Sequence, residues 1–404
     1  MNPSKNTCYE KELLELIRKL KAENRPIALF GTQHIGVIAK AVLSLFNIHP
    51  DCFVDNFGPI QGKAVEGITV LSPIKLKEKY PDAYICVCSF RKNNQIAIKN
   101  QLNELGFTDF IKLELMIYAF YTRIADRKNQ IDRIMSSYGN LFETESGSSL
   151  NINSMNLIIT EKCSLRCRDC SYLIPYYKMP TDYPLDEIFE GLDRFTESVD
   201  VIGRLSILGG EPLMHTGLKE IMEKVSSKGN IITAEIVTNG TIMPGKEILE
   251  AIKKHGICVS ISNYGVNSPK AAQIKKAADE MGIICSIKLD NTWYDSGAPK
   301  PRNRKKEDNE TYFKNCSARS ICSSLQKGEY HLCPRSAHGI ALGLIPKKES
   351  DFINVTDYTL THEQLKEKLK NYIFNPPCLT ACDYCGPFDI TKPAQLLPAA
   401  VQID

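Results

Sequence analysis

Short apolar runs alternate with amphipathic stretches along the first 125 residues. The amphipathic period predicts helices over residues 11–21, 37–46 and 93–105, and the apolar runs predict strands over 27–30, 52–54, 84–88 and 110–113. Strands that alternate with helices usually form parallel sheets. Residues 1–125 are therefore predicted to form a small, doubly wound α/β domain.

A polar stretch over residues 126–154 ends in ESGSS and is predicted to be a linker. A second alternating series follows, with strands predicted over 156–160, 204–208, 232–237, 257–262 and 283–289 and helices over 185–198, 218–226, 246–255 and 269–281. This series predicts part of a parallel barrel over residues 155–297, whose chemistry lies at the carboxyl ends of its strands. Residues 298–404 break the rhythm and form a third, cysteine-rich region.

Charge and composition exclude several classes of partner. The chain has 404 residues with 50 basic and 47 acidic side chains, so its net charge of +3 creates no strong field for nucleic acid or anionic lipid. The charged residues 1–22 do not resemble a signal peptide, and no run reaches roughly 18 apolar residues. We therefore expect a cytoplasmic protein with neither a nucleic-acid nor a membrane partner.

Fifteen cysteines in a reducing compartment favour metal binding over disulfides wherever they cluster. Four scattered ones lie in strand-like runs and are predicted to be small buried apolar residues: Cys86, Cys88, Cys258 and Cys285. The clustered ones begin with Cys163, Cys167 and Cys170, a CxxxCxxC loop directly after the first barrel strand. Three thiolates on one loop can bind three irons of a cubane and leave the fourth iron open. A zinc site is the alternative, although zinc usually takes four ligands.

The CxxxCxxC loop in this position resembles the signature of the radical S-adenosylmethionine (radical SAM) superfamily. The resemblance implies a partial (β/α)6 barrel with two cofactors, a [4Fe–4S] cluster and S-adenosylmethionine, the latter bound to the open iron. It also implies an external one-electron reductant of the flavodoxin or ferredoxin type and release of a 5′-deoxyadenosyl radical.

Further motifs match the family's cofactor-binding positions. Gly209, Gly210 and Glu211 resemble the GGEP segment that meets the methionine amino group, with Glu211 as the implied acceptor. Polar residues at the next strand ends are implied to contact the ribose and carboxylate of the cofactor: Thr238, Asn239, Ser260 and Ser262. The family's usual aromatic before the third cysteine is replaced by Asp169, and Tyr172 is predicted to take over part of its contact with adenine.

Six more cysteines lie in the third region. The spacing from Cys316 through Gly328 to Cys333 resembles the hairpin of SPASM and twitch extensions, which carry auxiliary clusters. The resemblance implies one auxiliary [4Fe–4S] cluster bound by Cys316, Cys333, Cys382 and Cys385, with Cys322 and Cys378 as alternates. A structural zinc knuckle is the alternative.

The segment from Gly31 to Gly36 resembles a reduced dinucleotide-binding turn, with Asp55 placed for a ribose hydroxyl. The predicted Rossmann-like domain could hold a nucleotide-linked or phosphorylated ligand, or could be purely structural or oligomerising. Residues 290–304 leave the fifth barrel strand, so Trp293 and Arg302 are predicted to stack on and anchor a substrate. A solvated basic loop with one packed tryptophan is the alternative.

These features favour a radical SAM oxidoreductase, a dehydrogenase or epimerase acting on a small polyhydroxylated molecule such as a sugar, nucleotide-sugar or aminocyclitol. A SPASM-type ribosomal-peptide maturase is the second hypothesis, and a non-catalytic, metal-bound scaffold is the third. The sequence does not identify a catalytic residue.

Overall fold

The computed structural model describes residues 5–142, 149–289, 292–316, 322–386 and 395–403. Its N-terminal sheet has the strand order β3-β4-β2-β1-β5-β6, parallel except for the β3–β4 pair. The strands are β1 (Ile27–Phe30), β2 (Cys52–Val54), β3 (Ala64–Val65), β4 (Ile68–Leu71), β5 (Tyr84–Val87) and β6 (Phe110–Ile111). The helices are α1 (Lys5–Glu23), α2 (His34–Leu45), α3 (Pro73–Lys79), α4 (Lys92–Glu104) and α5 (Leu113–Ala119). The predicted α/β class is confirmed.

Helix α2 begins at His34, three residues before its predicted start. Gly31 has φ +115°, and a Cβ at Gly36 would lie 2.0 Å from the Gly31 carbonyl oxygen. The first turn of α2 therefore lies directly over the end of β1, an approach that only glycine allows. Strands β3 and β4 and helix α3 were not predicted, because their apolar runs are too short to show a period.

The predicted linker contains a helix, α6 (Ile131–Phe142), while residues 143–148 lie outside the described part of the chain. Helix α6 buries Ile134 and Met135 against the first residues of the barrel strands, among them Ile232 and Ile284. Tyr121 also donates a hydrogen bond to the Ile232 carbonyl oxygen. The N-terminal region and the barrel thus share one apolar interface.

The second sheet contains five consecutive parallel strands, as predicted: β7 (Asn151–Ile158), β8 (Val201–Leu208), β9 (Ile231–Thr238), β10 (Cys258–Asn263) and β11 (Cys285–Leu289). The connecting helices are α7 (Leu185–Ser198), α8 (Leu218–Ser227), α9 (Lys246–Lys254) and α10 (Ala271–Glu280). Their apolar faces pack on the strands in one large core. The carboxyl ends of the strands gather at one edge, where the cysteine loop lies.

The sixth parallel strand is not the next one in the sequence. Strand β12 (Thr292–Tyr294) pairs antiparallel with β16 (Leu396–Pro398), and the sixth parallel position is taken by β13 (Ser324–Gln326), which pairs with β7. Strands β14 (Glu329–His331) and β15 (Ile353–Asn354) then extend the sheet antiparallel. The cysteine-rich region therefore joins the barrel beside its first strand.

The predicted hairpin about Gly328 is confirmed. Lys327 and Gly328 both have positive φ, 49° and 69°, as a tight two-residue turn between antiparallel strands requires. The remaining helices of this region are α11 (Lys306–Lys314), α12 (Pro334–Ala341) and α13 (His362–Phe374). None of the helices described is both long and apolar enough to cross a bilayer.

Candidate active site

The thiols of Cys163, Cys167 and Cys170 line one cavity of about 260 Å³ at the carboxyl ends of the barrel strands. We call it the cluster cavity. Burial raises the pKa of Cys163 to about 12 and that of Cys167 to about 11. Such thiols stay protonated near neutral pH unless a metal displaces their protons, so three of them facing one cavity fit an iron–sulfur cluster.

Hydrogen-bond donors point at two of these sulfurs. Asn239 Nδ2 lies 3.6 Å from Cys163 Sγ, and the backbone N–H of Leu165 donates to the same sulfur at 3.5 Å. Gln402 Nε2 donates to Cys167 Sγ at 3.3 Å. Donors of this kind stabilise the negative charge of the thiolates that bind a cluster, and they help to set the reduction potential of that cluster.

Gly209 and Gly210 bring the end of β8 against the start of the cysteine loop. A Cβ at Gly209 would lie 2.3 Å from the Thr160 carbonyl oxygen, and one at Gly210 would lie 2.1 Å from that of Lys162. Gly210 N–H donates to Thr160 at 2.9 Å. Both glycines line the cluster cavity with backbone atoms, which suits their predicted place beside the cofactor.

Glu211, the predicted acceptor for the cofactor's amino group, links the ends of two strands. Its carboxylate is fully buried and accepts hydrogen bonds from the backbone N–H groups of Leu213, at 3.1 Å, and Asn239, at 2.8 Å. Burial raises its pKa to about 7, against the opposing effect of these donors. Glu211 thus ties the end of β8 to the end of β9 and is not among the described residues that line the cavity.

Of the other predicted cofactor contacts, Thr238, Asn239, Ser262 and Tyr172 line the cluster cavity. Ser260 lies two residues before Ser262 in β10 and is buried. Its Oγ has no hydrogen-bond partner within the described ranges. The Tyr172 hydroxyl accepts a bond from Asn156 Nδ2 at 3.2 Å. Four of these five predicted residues therefore share one wall.

Trp293 also lines the cluster cavity, where its ring meets Tyr264 edge to face at a centroid distance of 5.4 Å. Tyr264 was not predicted, although its place directly after β10 is the signal that would have found it. Arg302 was predicted to anchor a substrate, but its guanidinium is buried and donates to the backbone carbonyl oxygens of Gly386 and Ala298. These bonds hold two loops together, and a contact between Arg302 and a substrate stays a prediction.

The six cysteines of the third region lie at the ends of several elements. Cys316 follows α11, Cys322 precedes β13, Cys333 precedes α12, and the other three lie within or beside the turn at 380–384: Cys378, Cys382 and Cys385. Thiol–thiol electrostatic interactions link Cys333 with Cys316 and Cys385, and Cys322 with Cys316. A hydrogen bond from Cys382 lowers the pKa of Cys378, so this predicted alternate is adjacent to a predicted ligand. In the described ranges no three His, Cys, Asp or Glu side chains are spaced to hold a single metal ion.

Aromatic residues separate the two cysteine groups. Tyr172 interacts electrostatically with Cys170 on one side and with Cys322 and Cys333 on the other. Its ring meets that of His338 at 5.3 Å, and His338 Nδ1 lies 2.8 Å from the Tyr177 hydroxyl. Burial lowers the pKa of His338 to about 3, so the imidazole is neutral.

A second cavity, of about 350 Å³, adjoins the cluster cavity at Cys170. Its polar lining includes Arg168, Asp169, Asp295 and Arg335. Arg335 is buried and donates to the Tyr384 carbonyl oxygen at 2.9 Å, beside the last cysteine. We call this the polar cavity.

The turn at residues 31–36 contacts both the barrel and the end of β2. The His34 side chain is buried, with Nδ1 3.1 Å from Glu235 Oε2 in the barrel. Asp55 accepts hydrogen bonds from Thr32 Oγ1 at 3.0 Å and from Phe57 N–H at 2.9 Å. His34 therefore joins the domains, and Asp55 stays at the end of β2 as predicted.

Known proteins resemble the chain over about a third of its length. GTP 3′,8-cyclase of Alkaliphilus oremlandii is 30% identical over 148 residues, 34% of this chain and 43% of that protein. The GTP 3′,8-cyclase of Aquifex aeolicus is 25% identical over 138 residues, 33% of this chain and 42% of that protein. The chain thus spans less than half the length of these curated relatives.

Solved structures resemble the chain at low similarity. BtrN in complex with AdoMet and 2-DOIA is 13% identical, with a TM-score of 0.37 over 58% of this chain and 93% of that one. SuiB of Streptococcus suis bound to precursor peptide SuiA is 13% identical, with a TM-score of 0.29 over 70% of this chain and 58% of that one.

A family model assigns the centre of the chain. Residues 157–280 match the Radical SAM superfamily. The match spans the end of β7, the three-cysteine loop, the two glycines and strands β8 to β10, which together form the cluster cavity. Residues 157–280 therefore form a radical SAM domain, and the cofactors of that superfamily are S-adenosylmethionine and a [4Fe–4S] cluster.

Proposed function

We propose that the protein is a radical SAM oxidoreductase, a dehydrogenase or epimerase, that acts on a carbon–hydrogen bond of a small polyhydroxylated molecule. One observation carries the radical chemistry: three thiols, two glycines and Asn239 line the same cavity. When bound, the two cofactors supply a 5′-deoxyadenosyl radical that takes a hydrogen atom from carbon, and an auxiliary cluster accepts the electron that the substrate then loses with its hydroxyl proton.

The residues of the chain hold and shield this chemistry. Gly209 and Gly210 present backbone groups to the amino acid end of the cofactor, while Thr238, Asn239 and Ser262 present polar side chains to the rest of it. Trp293 and Tyr264 cover the cavity with packed rings, which limits water near the reacting carbon.

The polar cavity supports the choice of a hydroxylated substrate. Its volume of about 350 Å³ is at the small end of the usual range for small-molecule sites. Asp169 and Asp295 can accept hydrogen bonds from substrate hydroxyls, and either carboxylate can receive the hydroxyl proton. Because this cavity meets the cluster cavity at Cys170, a sugar or aminocyclitol ring in it would lie beside the cofactor.

The electron acceptor is proposed to be one auxiliary [4Fe–4S] cluster on Cys316, Cys333, Cys382 and Cys385. Arg335, which lines the polar cavity, is hydrogen-bonded to the residue next to Cys385. A substrate in that cavity would therefore lie between the two cysteine groups. An external flavodoxin- or ferredoxin-type reductant is proposed to supply the first electron.

Peptide maturation remains the second proposal, since SuiB is described with a precursor peptide. The limited volume of the polar cavity favours a small molecule over a peptide. The relatives in A. oremlandii and A. aeolicus are named for GTP, and a nucleotide is therefore another class of small substrate to test.

Anaerobic reconstitution with iron and sulfide, followed by measurement of 5′-deoxyadenosine, tests the proposal. The wild-type protein should release 5′-deoxyadenosine, and pools of sugars, nucleotide-sugars and aminocyclitols should raise that release, whereas peptides should not. Replacing Cys163, Cys167 and Cys170 together by Ala should abolish release and remove about four irons per chain, one cubane. Replacing the exposed Cys8 by Ala is the control. Release by the triple variant would refute the assignment of these three cysteines. No release by the wild-type protein would leave the metal-bound scaffold as the alternative.

A further inference from the structure

A third cavity, larger than the two above, lies between the N-terminal sheet and the open edge of the barrel. It has a volume of about 920 Å³, and we call it the interdomain cavity. Thr32, Gln33 and Asp55 line it from the N-terminal domain. These residues follow β1 and β2. In the strand order β3-β4-β2-β1-β5-β6, the strands after β1 are added first on one side of it and then, from β5, on the other, so β1 is the topological switch point. Crevices at such a switch point are where doubly wound sheets bind ligands.

Two features of this wall suit a phosphate group. Helix α2 begins at His34, directly after Gln33, and its first N–H groups have no partner within the helix. Lysines from both domains line the cavity, including Lys63 and Lys288, and neither of these has a carboxylate of the described chain within 4 Å to pair with. Lys288 also acts at longer range on Glu235, but the four lysines of the lining outnumber its two carboxylates, Asp55 and Glu66, so the site beside the helix N-terminus is positive.

The same cavity carries groups that suit a nucleoside. Phe57 and Tyr294 line it from the two domains, and their side chains are 59% and 60% exposed. Exposed aromatic rings inside a cavity provide faces on which a base can stack. Asp55 lies at the end of β2, and its oxygens retain lone pairs for a ribose hydroxyl beside the bonds from Thr32 and Phe57.

The interdomain cavity adjoins the cluster cavity through two strands. In β12, Trp293 lines the cluster cavity, whereas its neighbours Thr292 and Tyr294 line the interdomain cavity. Between β10 and β11, Ser262 of the cluster cavity is paired in register with Lys288 of the interdomain cavity. Successive side chains of a strand face opposite sides, so the two cavities share β12 as a common wall and lie one strand apart.

We propose that the interdomain cavity binds the nucleoside diphosphate of a nucleotide-linked sugar, whose hydroxylated carbon then reaches the cluster cavity. This inference rests on the proposed function and narrows its substrate class from sugars in general to sugars carried on a nucleotide. The diphosphate lies at the start of α2 with Lys63 and Lys288 beside it, and the base lies against the exposed rings.

The test is anaerobic titration calorimetry of the reconstituted full-length protein with UDP, GDP, ADP and inorganic pyrophosphate. At least one nucleotide should bind with a Kd below about 100 µM. The Kd of pyrophosphate should be at least about tenfold higher. Asp55→Asn and Lys63→Glu should each weaken nucleotide binding about tenfold. Lys21→Glu, an exposed change on α1 away from the cavity, should leave the affinity unchanged.

Three results would overturn the inference: no binding of any of the three nucleotides, equal affinity for pyrophosphate, or wild-type affinity in both cavity variants. Release of 5′-deoxyadenosine is measured on the same preparations. Loss of nucleotide binding in a preparation that cleaves S-adenosylmethionine would refute this inference alone. Nucleotide binding without any cleavage would refute the proposed radical chemistry and leave the interdomain site intact.

Discussion

Gln402 Nε2 donates a hydrogen bond to Cys167 Sγ at 3.3 Å across 235 positions of the chain. The backbone of the same segment supports this contact, because Arg168 N–H donates to the Val401 carbonyl oxygen at 2.8 Å and Ile403 N–H to that of Arg166 at 2.9 Å. The last described residues thus form part of the cluster loop's surroundings.

We predict that Gln402→Leu lowers the reduction potential of the radical SAM cluster. A donor to a thiolate stabilises the reduced, more negative cluster, so its loss should shift the potential by on the order of −50 mV, or ~1 kcal/mol for one electron. An EPR-monitored redox titration measures the shift. Gln402→Glu replaces the donor by a carboxylate and should lower the potential further. An unchanged potential in both variants would show that the contact does not act on the cluster.

The second prediction ranks the auxiliary ligands. Single replacements by Ala of Cys316, Cys333, Cys382 or Cys385 should each remove about four irons per chain, whereas Cys322→Ala and Cys378→Ala should retain them. Iron analysis and Mössbauer spectra give the comparison. Loss of the cluster in Cys322→Ala with Cys316 dispensable would overturn the hairpin alignment. Loss of the cluster in Cys378→Ala would show that Cys378 is one of the four ligands.

The third prediction separates two residues that the sequence placed together. Trp293 lines the cluster cavity, so Trp293→Ala should lower substrate-stimulated release of 5′-deoxyadenosine about tenfold relative to uncoupled release, because water enters beside the reacting carbon. Trp293→Phe keeps a ring against Tyr264 and should retain most of the stimulated rate. An equal fall of both activities in Trp293→Ala would assign the tryptophan to the fold.

Arg302 should behave differently because its guanidinium binds backbone carbonyl oxygens. Arg302→Ala leaves those buried oxygens without donors and should cost about 1–3 kcal/mol of folding free energy. Stimulated and uncoupled release should therefore fall together, with a lower melting temperature. A selective loss of stimulated release at unchanged melting temperature would restore the predicted substrate contact.

The fourth prediction concerns the pH dependence of stability. Burial raises the pKa of Glu235, but His34, Lys288 and Arg204 outweigh it and hold this pKa far below its ordinary value of 4.5. A depressed carboxyl pKa contributes stability that is fully present above 4.5 and is lost as the pH falls below it.

Glu235→Gln removes the negative charge that His34 and Arg204 face. We therefore expect the free energy of unfolding to fall by about 3 kcal/mol at pH 7. The free energy of unfolding should then fall less steeply below pH 4.5 than in the wild-type protein. Chemical denaturation between pH 3 and 7 measures both effects, with the exposed Glu247→Gln as control. An unchanged slope in Glu235→Gln would show that another group carries the acid sensitivity.

The sequence by itself determined the elements and the chemistry that depends on local spacing. Strand and helix periods gave five parallel strands and their helices, because burial of one face imposes a period on each segment. The CxxxCxxC loop was predictable because its three thiols come from one short segment. The hairpin at Gly328 was implied by the resemblance of the cysteine spacing to SPASM and twitch extensions, and a glycine suits the positive φ of its turn.

Only the tertiary structure decided which distant groups meet. Gln402 reaches Cys167, His34 reaches Glu235, and β13 joins the sheet beside β7 rather than beside β11. Glu211 accepts hydrogen bonds from the backbone N–H groups of Leu213 and Asn239, since a buried carboxylate must find donors. Such pairings depend on the approach of separate segments, which local periodicity does not record, and that is why the interdomain cavity is visible only in the folded chain.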